Sequence, residues 1–174
     1  AGSGLLTAVL RFPAGIEITR SWQLSVDPFV IPPLYLVADD GARFQASPGC
    51  GLTLTFANAY ETRETCNSFG YEPTRAALRV RAYRPLHLDL EGWQITTWYA
   101  ACGRADQWQG SPDYYDTSTC GSLGGAASDS GSVLTEPAAF ILPPGETIVQ
   151  IRITAVEARG NRFNAPYYAR VIAR

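Results

Sequence analysis

The chain alternates apolar and polar residues over most of its length. In Leu86-His87-Leu88-Asp89-Leu90 the three leucines fall on one side and His87 and Asp89 on the other. In Ile148–Ala155 the residues Val149, Ile151, Ile153 and Ala155 oppose Ile148, Gln150, Arg152 and Thr154. A period of two is the signature of a strand with one face buried and one wet. It predicts strands at Leu5–Phe12, Ile16–Val26, Phe29–Val37, Gly51–Ala59, Ala76–Tyr83, Leu86–Leu90, Trp93–Ala100, Ala138–Leu142, Glu146–Ala158 and Tyr167–Ile172. Between these runs lie most of the 12 prolines and 16 glycines, as in Leu142-Pro143-Pro144-Gly145, where proline presets φ and glycine supplies a positive φ. No segment sustains the 3.6-residue period of an amphipathic helix. The fold expected is all-β: a single jelly roll or antiparallel β-sandwich of eight or more strands, spanning 1–174 as one domain.

Four cysteines interrupt the pattern. Cys50, Cys66, Cys102 and Cys120 allow three pairings. The sequence-local one, Cys50 with Cys66 and Cys102 with Cys120, would fasten two long irregular excursions at turns such as Ser47-Pro48-Gly49-Cys50-Gly51. Closing loops of about 15–20 residues contributes about 3 kcal/mol each on the chain-entropy model. Free buried thiols are the alternative, and zinc lacks the tight C-x₂₋₄-C pair that it needs. Disulfides point to an extracellular, virion or hyperthermophile setting.

The longest break in the pattern is the loop 103–132. Its first half carries Trp108, Tyr114 and Tyr115 among the carboxylates of Asp106, Asp113 and Asp116. Its second half, from Gly121 to Ser132, is small-residue sequence of the flexible kind. A loop of this length is functional or disordered. Trp108, Tyr114 and Tyr115 form a possible contact loop for a protein or a sugar, or they cover one end of the sandwich.

Charge and chemistry narrow the function further. All 14 basic residues are arginine, and methionine is absent as well. Without lysine there is no P-loop, Schiff base or lysine general base. The single histidine, His87, stands beside Asp89, but no G-x-S-x-G elbow accompanies them, and a solvated pair on a sheet face is expected. Among 16 acidic residues nothing singles out a glycosidase pair. Arg79 and Arg81 share one exposed face, solvated or in contact with a subunit or phosphate. A net charge of −2 gives no footprint for specific nucleic-acid binding. No apolar run reaches the roughly 20 residues of a membrane-spanning helix, and no signal peptide is visible at Ala1-Gly2-Ser3-Gly4-Leu5. The expectation is a protein that is not an enzyme, with no catalytic residue, cofactor or metal.

A lysine-free, arginine-rich, proline-punctuated all-β chain of this size resembles the single jelly-roll capsid proteins of icosahedral double-stranded DNA phages that carry an internal membrane and infect thermophilic bacteria. It is most similar to the smaller of their two major capsid proteins. The likeness is one of size, strand rhythm and composition over the whole chain, and it carries no residue motif. It implies a virion protein, a homodimer or higher oligomer, a second, larger capsid protein as partner, and contact with an internal membrane. The N-terminal segment 1–26, two strand-length runs joined at Phe12-Pro13-Ala14-Gly15, is the candidate for pairing with or exchange into a neighbouring subunit. The rival reading is a secreted, disulfide-bonded binding module for carbohydrate.

Overall fold

A computed structural model of the chain describes residues 2–13, 15, 17–26, 31–55, 61–64, 76–107, 122–126, 134 and 136–174. They divide into two compact units, Ala1–Ile31 and Pro32–Arg174. The only helical turn among the described residues is a 3-10 turn at Ala105–Gln107.

The first unit is a two-stranded antiparallel hairpin of β1 (Gly2–Arg11) and β2 (Glu17–Val26). Its ladder is continuous from the Gly2↔Val26 pair to the Arg11↔Glu17 pair. The reversal is closed by the Gly15 amide donating to the Phe12 carbonyl at 3.0 Å, with Gly15 at φ 76°. That left-handed backbone is the reason for glycine at this position.

In the second unit, one sheet runs β12 (Ala139–Phe140), β9 (Leu86–Leu90), β3 (Leu34–Val37), β4 (Arg43–Gln45). The larger sheet runs β11 (Ser122–Ala126), β10 (Gln94–Arg104), β13 (Gly145–Val156), β14 (Arg162–Ala173), β6 (Leu52–Thr55), β7 (Glu61–Glu64). The short strands β5 (Ser47–Pro48) and β8 (Leu78–Val80) also pair with β14, β8 in parallel and the others antiparallel. Neighbours in sequence pair as hairpins within a sheet at β3–β4, β6–β7, β10–β11 and β13–β14. The antiparallel β-sandwich expected from the alternation is what the chain forms.

The core lies between the two sheets. Leu34, Leu36, Leu86, Leu88, Leu90 and Phe140 face Trp98, Ile151, Ile153, Phe163 and Tyr167, all of them buried. Trp98 meets Phe140 across the gap at 6.3 Å between ring centroids, and Trp93 meets Phe163 at 5.5 Å. The Tyr167 hydroxyl, on a fully buried side chain, donates to the Pro32 carbonyl at 2.7 Å. A bulge at Thr96 shifts the β10–β13 register between Ile95 and Thr97. The buried Thr96 hydroxyl is satisfied there by the Thr154 carbonyl at 3.1 Å.

Alternation fails over one band of the larger sheet, where Ala100–Gly103, Thr147–Val149 and Ala165–Ala169 are buried without a break. Both faces of the sheet are covered here. On the outer face, Ala105 of the 3-10 turn packs against Ile148 and Tyr168. Gly49 lies against the ring of Tyr168 so closely that a Cβ at that position would collide with it. The Gly49 amide donates to the Pro166 carbonyl at 2.7 Å. In an antiparallel strand the N and O of one residue point to the same side, so the proline nitrogen faces the gap between β5 and β6. Its missing N–H therefore costs no bond to β13.

Two readings of the sequence are corrected. The small-residue half of the loop 103–132 contains β11, which pairs with Thr97–Ala101 of β10. Ladder bonds are made by backbone, so a run of Ser, Gly and Ala can complete an edge that its composition does not announce. The last strand starts at Arg162 rather than Tyr167, because Pro166 sits where the ladder has a gap and does not break the strand.

Burial raises the Tyr167 hydroxyl pKa far above its ordinary value of 10. A raised folded-state pKa contributes stability that is complete below pH 10 and is lost as pH rises beyond it. Tyr167→Phe strands the buried Pro32 carbonyl and should cost about 1–3 kcal/mol in urea denaturation at neutral pH. The variant should also lose the part of the alkaline destabilisation above pH 10 that Tyr167 causes.

Candidate functional site

The residues expected to carry function scatter. Trp108, Tyr114 and Tyr115, proposed as a contact loop, lie outside the described residues, as do Cys66 and Cys120. Cys50 and Cys102 are disulfide-bonded, but not to each other. Cys102 pairs with Val149 on β13, Val149 with Ala169 on β14, and β5, just before Cys50, lies beyond β14. Three ladder spacings amount to roughly 14 Å, against a Cα separation below about 7 Å for a disulfide. The choice between Cys66 and Cys120 as partner for each lies outside the described residues.

His87 and Asp89 both point outward, as the alternation requires, but they do not form a catalytic pair. Asp89 accepts from the Arg43 guanidinium at 2.5 Å. That guanidinium lies 4.2 Å above the Tyr35 ring. The register Tyr35↔Asp89 on one side of β3 and Val37↔Arg43 on the other brings the three together. Arg43 and Asp89, both exposed, and the half-buried Tyr35 satisfy one another and hold a sheet face in order. Arg79 and Arg81 are exposed on β8 and just beyond it.

The chemistry that is gathered in one place lies at the end of the larger sheet. A hollow of about 710 Å³ is lined by Arg104, Asp106, Pro143, Pro144, Glu146, Thr147 and Arg170, among others. Arg104 holds Asp106 in a two-point ion pair, Nε to Oδ1 at 3.0 Å and Nη2 to Oδ2 at 2.5 Å. Arg170 Nε donates to Glu146 Oε1 at 2.6 Å. The second pair is a diagonal cross-strand contact, since Arg170 stands opposite Ile148 and Glu146 opposite Ile172. Each guanidinium is neutralised by its own carboxylate, so the hollow is a charge-balanced polar rim. Among the described residues, no cluster of three or more metal-ligating side chains occurs. Arg104 and Asp106 were visible as the start of an irregular stretch. The meeting of Glu146 with Arg170 depends on hairpin register, which no local pattern carries.

The third surface belongs to the N-terminal hairpin. Cross-strand partners share a face, so Leu6, Ala8, Leu10, Ile18 and Arg20 form one side. Leu5, Thr7, Val9, Arg11, Glu17, Thr19 and Ser21 form the other. On the second side the Thr7 and Ser21 hydroxyls lie 3.1 Å apart, and Arg11 Nε donates to Glu17 Oε2 at 3.0 Å. Leu5, Leu6, Val9, Leu10, Phe12 and Ile18 are all exposed, Leu5 by 70% and Leu10 by 59%. Apolar surface concentrated in this way marks an interaction site in soluble proteins.

Two outcomes test the hollow. The guanidinium of Arg104, chiefly through its hydrogen bonds, holds the Asp106 carboxyl below its ordinary 3.8. Stability from such a depressed group is present above that ordinary value and fades as pH falls through the lowered one. Arg104→Ala should return the Asp106 titration toward 3.8 in a carboxyl-detected NMR series, without loss of fold. The Thr147 hydroxyl is buried and has no hydrogen-bond partner among the described residues. Removing it by Thr147→Val should raise stability by roughly 1 kcal/mol in chemical denaturation.

No family model, no curated protein and no solved structure matches the chain.

Proposed function

We propose that the protein is a structural building block, a capsid subunit of the virion shell that self-associates and assembles with a second, larger capsid protein. The observation that carries this reading is the N-terminal hairpin, which exposes Leu5, Leu6, Val9, Leu10 and Ile18 on strands ten residues long and Phe12 at their turn. An isolated two-stranded hairpin is marginal in water, and three or more strands with an apolar face are needed for stability. A hairpin of this kind makes sense as an arm completed by another chain. The sandwich fits the part of a rigid tile, with a core sealed between its sheets and exposed ion pairs outside, such as Arg43–Asp89 and Arg84–Asp39. The absence of lysine suits repeated planar contacts, because the guanidinium fork loses less entropy per contact than a flexible ammonium. Contact with an internal membrane belongs to the same reading, and specific nucleic-acid binding and catalysis do not.

Size-exclusion chromatography with multi-angle light scattering is expected to show a dimer or higher species at micromolar concentration. The double variant Leu6→Ser/Leu10→Ser, altering two exposed residues, should lower the oligomeric state and leave the far-ultraviolet circular dichroism of the sandwich unchanged. A wild-type protein that remains monomeric at high micromolar concentration overturns the capsid reading.

A further inference from the structure

We infer that β1 is the dimerisation edge, pairing antiparallel with β1 of a second copy about a two-fold axis that passes at Ala8. The inference rests on the assembly role proposed above and names its contact.

The two outer edges of the hairpin differ. From Gly2 to Leu10, β1 has no charge and no proline, and its ladder to β2 has no bulge. Charges, prolines and bulges are the devices by which proteins protect free edges from pairing, and β1 has none of them over nine residues. β2 carries Glu17 at its start and Arg20 inside it. Among the described residues, neither strand of the hairpin pairs with any other. The unguarded edge is therefore β1.

A second copy fits this edge because β1 is complementary to itself. An antiparallel pairing about a two-fold axis normal to the sheet keeps each side chain on its own face, so the axis must fall at one residue of the strand. With the axis at Ala8, Leu6 stands opposite the partner's Leu10, Ala8 opposite the partner's Ala8, and Leu10 opposite the partner's Leu6. Large side chains flank a small one at the centre, and apolar contacts run across the new ladder, with Arg20 of each copy on the outer side of Ala8. Thr7 and Val9 stand opposite each other on the second face. The product is a four-stranded sheet with one apolar face, past the three strands that stability requires. An edge contact of this length is small beside the roughly 1,600 Å² of a standard interface. The dimer is accordingly concentration-dependent.

Position 8 is the one place in this register where a residue meets its own copy on the apolar face, which makes the test specific. Ala8 is exposed, so Ala8→Lys and Ala8→Glu should both fold with wild-type circular dichroism. Like charges directly opposite each other repel and opposite charges attract. Ala8→Lys, which adds to the charge of its cross-strand neighbour Arg20, should dimerise roughly fivefold more weakly than wild type in sedimentation equilibrium across micromolar concentrations. Ala8→Glu, partly neutralised by Arg20, should be weakened less, and an equimolar mixture should associate more tightly than either variant alone. Wild-type protein that dimerises while both variants dimerise equally well overturns the β1 edge and leaves the assembly role standing. Variants that dissociate but are not rescued by mixing overturn the axis at Ala8. Rescue by the Thr7→Lys and Thr7→Glu pair instead moves the axis and overturns it too. A monomeric wild type overturns both the inference and the role beneath it.

Discussion

The sandwich depends on how β14 is held. Tyr167, fully enclosed near the middle of that strand, hydrogen-bonds the backbone at Pro32, just ahead of β3 in the opposing sheet. A tyrosine in this position fills core volume and still places its one polar atom on a carbonyl that would otherwise be buried unpaired. The bond spans most of the sequence and ties the start of the sandwich to its last strand. Phe163, four residues earlier on the same face of the strand, packs edge-on against the Tyr167 ring at 6.4 Å and links it to Trp93. Loss of that single hydroxyl therefore affects both sheets.

Around this anchor, β14 is the shared neighbour of β13, β5, β6 and β8. Its buried run through Ala165–Ala169 follows from cover on both faces, the opposing sheet on one and Ala105 and Gly49 on the other. Pro166 is tolerated because its ring nitrogen faces the one interval where the adjoining strand changes from β5 to β6. Gly49 is required at that interval by the nearness of the Tyr168 ring. The irregularities of the larger sheet are thus a set of mutual accommodations at one point.

Much of this architecture was legible in the sequence, and the parts that were not share a cause. Leu86–Leu90 and Ile151–Ala155 announce their faces because each packs one side only. The buried run in β14 obscures its own period because both sides pack. β11 is silent because Ser122-Leu123-Gly124-Gly125-Ala126 contributes backbone more than side chain. The candidate sites divide in the same way. The exposed hairpin was visible as two strand-length runs at the N-terminus, whereas the Glu146–Arg170 pair exists only once β13 and β14 are in register. The aromatic loop around Trp108, Tyr114 and Tyr115, conspicuous in composition, falls outside the described residues.

The position of β14 also bears on how the protein is made. Synthesis proceeds from the N-terminus, so β13, β5, β6 and β8 all leave the ribosome before the strand that joins them. Until Arg162–Ala173 emerges, the larger sheet has no centre and its earlier strands have open sides. A chain that still lacks β14 therefore leaves one edge of β13 and the edges of β5, β6 and β8 toward it open, and open strand edges are sites of aggregation. Slow elongation through the codons of Arg162–Ala173 would lengthen that exposure, and a chaperone that shields extended apolar segments would shorten its consequences.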